Sequence, residues 1–442
     1  GITFIEAGNH TLRVTFNDAV KPATATWEDK RSPFARVSLD PILFTDDGRL
    51  GGTNRTFESQ LDGACSTTSY TDDDANTWLP SQGCGLPAGA DHQTLGGGPY
   101  ASPAPAHTYP HAIYYCSQDI VTAFCARSDD GGVTFGPGIP IYTFASHNGV
   151  DVPVAPGTCG GLHGHVRVSP DGTAYVPNRN CQDANGVSRP GVAVSIDNGL
   201  TWTVRTVPDG LTGAGTDPSV AAGAHNTIYL GYADASGHAK IAVSHDRGLH
   251  WAKSQDAGTP FGIQNTEFPE VIAGDDNRAA FAFLGTTSTG DTQSADFLGV
   301  WHLYVAFTYN SGLTWTTTDT TPANPVQRGC IWNGGGSNPC RNLLDFNDIT
   351  VDKLGRVLVG YADGCTGTCV TDASQNASTG PASAQDALAT IARQVGGRGL
   401  FAAFDGTQFG THSGDDEGGG NICFGDAANG VTGDQNCNVE DH

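Results

Sequence analysis

One octapeptide pattern recurs five times along the chain, and it constrains the fold more than any other feature. Its copies are Ser128-Asp-Asp130-Gly-Gly132-Val-Thr134-Phe135, Ser195-Ile-Asp197-Asn-Gly199-Leu-Thr201-Trp202, Ser244-His-Asp246-Arg-Gly248-Leu-His250-Trp251 and Thr308-Tyr-Asn310-Ser-Gly312-Leu-Thr314-Trp315, with a weaker one in Thr71-Asp-Asp73-Asp-Ala75-Asn-Thr77-Trp78. They start at 71, 128, 195, 244 and 308, hence 57, 67, 49 and 64 residues apart. The hydroxyl and carboxylate side chains bond nearby backbone and close a tight turn. Gly supplies a left-handed conformation, and the aromatic folds back between neighbouring sheets. A period of about 50–65 residues is that of one four-stranded antiparallel blade with variable loops. The predicted fold is therefore all-β, a six-bladed β-propeller with a seventh blade possible, each motif forming a hairpin inside a blade.

A second repeat precedes each of the later motifs. His165–Val176, Ser219–Leu230, Glu270–Phe281 and Asp348–Val359 each read as strand, polar turn, strand, and are expected to be the two inner strands of successive blades. The first blade is expected over about 32–85, the second over 95–145 and the last, which lacks the octapeptide, over 345–405. In that last blade Ala387–Val395 and Gly399–Phe404 are the expected outer strands, with a helix over Ala382–Arg393 as the competing reading. Residues 1–30 hold two strand-like runs, either closing the ring by adding a strand to the last blade or forming an extension. This divides the chain into N-terminal strands (1–30), propeller (31–409) and a Gly-rich tail (410–442).

Twelve Cys fall as neighbours: Cys65 and Cys84, Cys116 and Cys125, Cys159 and Cys181, Cys330 and Cys340, Cys365 and Cys369, Cys423 and Cys437. Zinc motifs need tighter spacing, so six local disulfides and an oxidising compartment are expected. The chain has no Met, which suggests that Gly1 is a processed start. Localisation is expected to be secreted or cell-surface. With 22 Lys+Arg against 46 Asp+Glu, a net charge of −24, the chain is unsuited to nucleic acid and to anionic membrane surfaces. No run approaches the ~18 apolar residues of a membrane span. Phosphate-loop, dinucleotide, nucleophile-elbow and His-Glu-x-x-His motifs are all missing.

The octapeptides resemble the Asp boxes, or BNR repeats, of the sialidase superfamily, over roughly residues 30–405. The resemblance implies a propeller and assigns Asp73, Asp130, Asp197, Asp246 and Asn310 to structure at the blade periphery. A true sialidase binds its substrate carboxylate with three Arg, the first in Arg-Ile-Pro. Here Phe34-Ala-Arg36-Val37-Ser38 lacks the Pro; Arg36 is the best candidate for a first Arg, and Arg167, Arg278 and Arg356 are available on later blades. Tyr232 and Tyr361 occupy one repeat position and are expected to be structural. The resemblance and the cysteine pattern together imply a secreted sialidase-like propeller that acts on or binds extracellular glycans, with glycoside-hydrolase-type architecture. The alternative is a non-catalytic propeller at the cell surface or in an extracellular assembly, binding protein or glycan.

Chemistry is expected at the channel mouth, where the inner strands begin. The repeat alignment puts His165, Ser219, Glu270 and Asp348 at equivalent positions, with His163, Asp217 and Glu267 just upstream. The ligand-binding candidates are His163, His165, Asp217, Glu267, Glu270 and Asp348, and the catalytic candidates Arg36, Glu270 and Asp348. His163-Gly-His165 alternates, so both rings should face one side of a strand. Carboxylates held close would raise one another's pKa. The expectation is then either a divalent cation such as calcium, with His163 and His165 as ligands, or one carboxyl kept protonated as a general acid.

Overall fold

The computed structural model describes residues 2–405, 422–428 and 434–435, apart from 8–9, 21–22, 37–39, 50, 64, 148–149, 213–214, 224 and 226. Their strands form seven antiparallel sheets, the blades of a β-propeller, here lettered A to G in chain order. Blade A is Ile2–Ala7, His10–Asn17 and Thr24–Asp29. The innermost strands of the others are Pro41–Asp46 in B, Asp91–Pro99 in C, Cys159–His163 continued by Arg167–Val168 in D, Ser219–Ala222 in E, Asn265–Ala273 in F and Asp348–Val351 in G. Each is followed by a meander that runs outward. Among the described residues the one α-helix is Thr368–Thr371, and no helix is long and apolar enough to cross a membrane.

The octapeptides link the third and fourth strands of blades B to F. In blade C, Gly132 N–H donates to Ser128 Oγ (2.7 Å), Thr134 N–H to Asp130 Oδ1 (2.9 Å) and the Thr134 hydroxyl to Asp130 Oδ2 (2.6 Å). The same pattern recurs around Asp73, Asp197, Asp246 and Asn310. Two successive left-handed residues make the turn, such as Asn198 (φ 60) and Gly199 (φ 79). A Cβ on Gly132 would lie 2.4 Å from Phe57, so glycine is also required sterically there. Ala75 takes the same conformation at φ 63, which is how the degenerate copy keeps the turn.

The aromatic that ends each octapeptide packs between its own blade and the preceding one: Phe135 between B and C, Trp202 between C and D, Trp251 between D and E, Trp315 between E and F. Phe135 is buried, whereas Trp202, Trp251 and Trp315 are only partly so. They cap the inter-blade cores from the rim. Trp251→Ala is expected to lower the unfolding free energy by about 3 kcal/mol in guanidinium titration; an unchanged midpoint would assign the ring to the surface.

Blade A is a sheet of its own between G and B, so residues 2–29 neither add a strand to the last blade nor project as an extension. Val14 and Phe16 pack with Leu358 and Ile391 of blade G. Arg393 forms two bonds to Asp18 (2.7 and 2.9 Å), with Arg356 joining at 3.0 Å. On the other side Arg13 donates to the Asp74 carbonyl and the Trp78 indole to that of Lys30, both at 2.8 Å. Blade G draws its outer strands, Cys423–Ala428 and Asp434–Gln435, from the tail, which is thus part of the propeller. Its third strand, Leu388–Gly396, matches the strand expected over Ala387–Val395 and not the competing helix over Ala382–Arg393. Pairing with Val357–Asp363 overrides the helical preference of Ala and Gln there. Gly399–Phe404 is not a strand but contains a short 3-10 turn, Ala402–Phe404. Blade C begins at Asp91, earlier than the sequence implied.

Disulfides join Cys65–Cys84, Cys116–Cys125, Cys159–Cys181, Cys330–Cys340 and Cys365–Cys369. The pairing of Cys423 with Cys437 lies outside the described residues. Non-reducing peptide mapping is expected to recover the five bridges; a bridge between distant couples would overturn this order of blades around the ring.

Candidate functional site

The inner strands of C, D and F do not start regularly. Each carries a bulge, between Asp91 and Thr94, Gly160 and His163, and Glu267 and Glu270. A left-handed residue sits in each: His92 (φ 55), Gly161 (φ 76) and Phe268 (φ 53). For His92 and Phe268 this is a strained conformation of the kind retained where a side chain must be aimed. Residues three apart in a regular strand face opposite ways; the blade F bulge turns both Glu267 and Glu270 toward the mouth.

Three groups result. In the first, ligand atoms of His165, Glu270 and Asp348, from blades D, F and G, lie within 4.8 Å of one another. Glu270 is 6% exposed and accepts a bond from Ser219 Oγ (2.8 Å), which itself accepts from Val271 N–H (3.1 Å). Arg167 reaches Asp348 at 3.4 Å, and the Asp348 side chain is half exposed. The His165 ring stands edge-on to Phe346, centroids 4.9 Å apart. Burial, then the charge of Asp348, push the Glu270 carboxyl up to about 8. Asp348 is raised as well, by the protein packed around it, with Arg167 opposing. Burial, then Arg167, hold His165 down to about 3, so its ring is neutral.

The second group is His92, His163 and Asp217. His92 Nε2 meets Asp217 Oδ2 at 2.8 Å. Burial alone would lower the His92 pKa; the Asp217 charge and hydrogen bond outweigh it and carry it to about 9. This is an ion pair, with Asp217 held below the usual range against its own burial. His163, fully buried, stands edge-on to His92 at 5.4 Å and donates from Nδ1 to the Gly164 carbonyl (3.0 Å). Burial and the His92 charge hold it down to about 4. The His163-Gly-His165 rings therefore occupy separate environments. A Cβ on Gly164 would meet the Pro218 carbonyl at 1.9 Å, so the glycine lets blade D close on blade E. His163 is not in the three-residue cluster and His165 is, which corrects their pairing as joint metal ligands.

The third group centres on Glu267, 3% exposed, which accepts from Thr292 Oγ (3.1 Å) and Asn333 Nδ2 (2.7 Å). Burial pushes it up to about 7. Asn333 belongs to the loop closed by Cys330–Cys340. The first two groups share one field: the Asp217 charge acts on both His165 and Glu270.

Arg36 stands apart from the three groups, exposed and 3.8 Å from Asp62. Arg278 binds Asp405 and Arg356 binds Asp352 and Asp18, away from the mouth. Tyr232 and Tyr361 are both buried. His92, Thr292, Asn333 and Phe346 were missed from sequence. His92 lies before the expected start of its blade, and the others are on loops without a repeat; only the bracketing Cys330 and Cys340 hinted at an ordered loop.

No protein-family model matches the sequence, and no curated protein does. Among solved structures, the chain is similar to a Hadza microbial sialidase at 14% identity and TM-score 0.41, covering 80% of this chain and 71% of that one. It is similar to an ulvan lyase of a polysaccharide lyase family at 10% and 0.42, covering 81% and 88%. It is also similar to the Aleuria aurantia lectin in complex with alpha-methyl-L-fucoside at 10% and 0.39, covering 72% and 93%.

Proposed function

We propose that the protein is an extracellular glycosidase whose working site is the propeller mouth. The observation that carries this reading is the convergence of Glu270, Asp348 and His165 within 4.8 Å beside Arg167. Glu270, the more buried carboxyl, holds its proton near neutral pH and serves as general acid toward the glycosidic oxygen. Asp348, half exposed and next to Arg167, ionises first and attacks the anomeric carbon as the C–O bond breaks. Water then releases the sugar, with Glu270 taking the water's proton. Carboxylate oxygens within 4.8 Å of each other leave no room for the water of an inverting mechanism, whose carboxyls stand about 6.5–9.5 Å apart, so the product should keep its anomeric configuration, readable by proton NMR. Neutral His165 is placed to bond a sugar hydroxyl. Five disulfides support an oxidising compartment.

The test is a panel of polysaccharides and aryl glycosides with the wild type, Glu270→Gln and Asp348→Asn. Turnover lost in both variants supports the reading. Glycan binding without turnover in the wild type, unaffected by either substitution, would favour a non-catalytic propeller. The same cluster favours a second reading, a divalent cation held by His165, Glu270 and Asp348. The imidazole suits Zn²⁺ better than calcium, which prefers all-oxygen sets. A thermal shift with these ions that disappears in His165→Ala would select it.

A further inference from the structure

We infer that the cavity where blade A meets blades B and G receives the glycone, the sugar that stays on Asp348, and that this sugar is neutral rather than a uronic or sialic acid. This rests on the hydrolytic reading and names its substrate class. The cavity, about 270 Å³, is lined by His165 and Asp348, so it opens from the reacting cluster. Glu270 does not line it. When Asp348 attacks the anomeric carbon, the bond to the leaving group breaks on the opposite face, toward the Glu270 proton. The aglycone therefore lies outside the cavity, and the ring held by Asp348 is the part of the substrate that extends into it.

The walls suit a sugar and not an anion. Aliphatic side chains of Ile5, Leu358 and Ile391 stand beside the hydroxyls of Thr3 and Thr350, a mixture that matches the C–H edges and hydroxyls of a pyranose. Asn347, on the same wall, is 4% exposed, and its Nδ2 has no hydrogen-bond partner among the described residues. A buried donor left unpaired is costly, and a ligand hydroxyl supplies the missing acceptor. Among the described residues the lining holds no Lys or Arg, while it does hold the carboxylates of Asp345 and Asp348. The guanidiniums nearby are engaged: Arg341 gives two bonds to Asp345, both 2.7 Å, and Arg167 faces Asp348 at 3.4 Å. His165 is neutral and adds no charge. A carboxylate on the glycone would thus leave water for a site of its own sign, with no cation to receive it.

The test uses the full chain in its Glu270→Gln form, which leaves methyl glycosides intact, and follows binding by ligand-observed NMR titration. Matched probes differ only in oxidation of the terminal CH₂OH to carboxylate: methyl glucoside against methyl glucuronide, and likewise for galactose and mannose, with a methyl sialoside alongside. At least one neutral glycoside is expected to bind tenfold or more tighter than its uronide. Its affinity should fall at least tenfold when Ala389, partly buried on the wall from blade G, is replaced by Phe to fill the space. Leu43→Trp fills it from blade B if Ala389→Phe does not fold, and Asn347→Ala should weaken binding by removing the free donor. A uronide or sialoside that binds as tightly as the neutral sugars, no binding by any probe, or equal affinity in a folded filled variant would each overturn the glycone site. The hydrolytic reading fails separately. Wall-dependent binding of a neutral sugar, with no aryl glycoside cleaved by the wild type, keeps the site and refutes hydrolysis. Cleavage that is lost in Glu270→Gln but keeps its KM in Ala389→Phe retains hydrolysis and overturns the site.

Discussion

Glu270→Gln is expected to reduce glycoside turnover by about 10²–10⁴-fold, the usual contribution of a positioned general acid. Gln keeps the shape of the side chain and can still accept the bond from Ser219, but it has no proton to give. Asp348→Asn should cost as much or more, because it removes the attacking oxygen and leaves Arg167 without its partner. Neither change should unfold the protein. Glu270 is buried and its carboxyl is raised, so its ionised form is a burden on the fold above neutral pH, and Gln relieves it. The pH–rate profile gives an independent readout. The reactive form has one proton on the dyad, so activity should fall at high pH as that proton leaves and at low pH as Asp348 gains one. Because the two carboxyls interact, both limbs belong to the pair. A leaving group that needs no protonation, such as dinitrophenolate, should restore much of the first-step burst of Glu270→Gln, though not its steady turnover, which still lacks the base for water, and none of the burst of Asp348→Asn. Equal rescue of both variants, or of neither, would remove Glu270 from the acid role.

The octapeptides were legible because their function is local. Every bond of the turn runs between residues at most four apart, as from Thr134 to Asp130. A short window therefore carries the whole constraint, and spacing between windows measures the blade. Blade A was invisible by the same argument. It has three strands, no octapeptide, and is held by contacts from afar, such as Arg393 on Asp18 across 375 positions. Nothing within its own 30 residues announces a blade. Cooperative pairing likewise decided Leu388–Gly396, where neighbouring strands overrode a helical composition.

At the mouth, the repeat alignment placed His165, Ser219, Glu270 and Asp348 in one column, and the structure puts all four around one point. That much follows from symmetry, since equivalent positions in a ring face one axis. The bulges break that symmetry. His92 enters the site because an extra residue between Asp91 and Thr94 shifts its strand, and His163 turns away from His165 to face it. Loop residues such as Asn333 obey no repeat, and their approach to Glu267 depends on how the Cys330–Cys340 loop folds over the blade edge.

Glu267 yields the clearest pH signature in stability. Its carboxyl is 3% exposed, faces only neutral hydrogen-bond partners, and is raised from 4.5 to about 7 by burial. The folded state therefore holds the proton more tightly than the unfolded chain does. Its contribution to stability is fully present below about 4.5 and is lost as pH rises through about 7. The gap corresponds to roughly 3 kcal/mol at full ionisation. Gln at this position can still accept from Asn333, and its amide can donate to Thr292, so packing and bonding survive without a titrating group. Wild type and Glu267→Gln should thus have similar unfolding free energies at pH 4, with the variant gaining steadily between pH 5 and 8. Other raised carboxyls, including Glu270 and Asp363, tilt both curves the same way and cancel in the difference. Guanidinium titrations across that range measure it directly. Parallel curves for the two proteins would show that Glu267 is solvated in the folded state, and that the loop carrying Asn333 does not close over it.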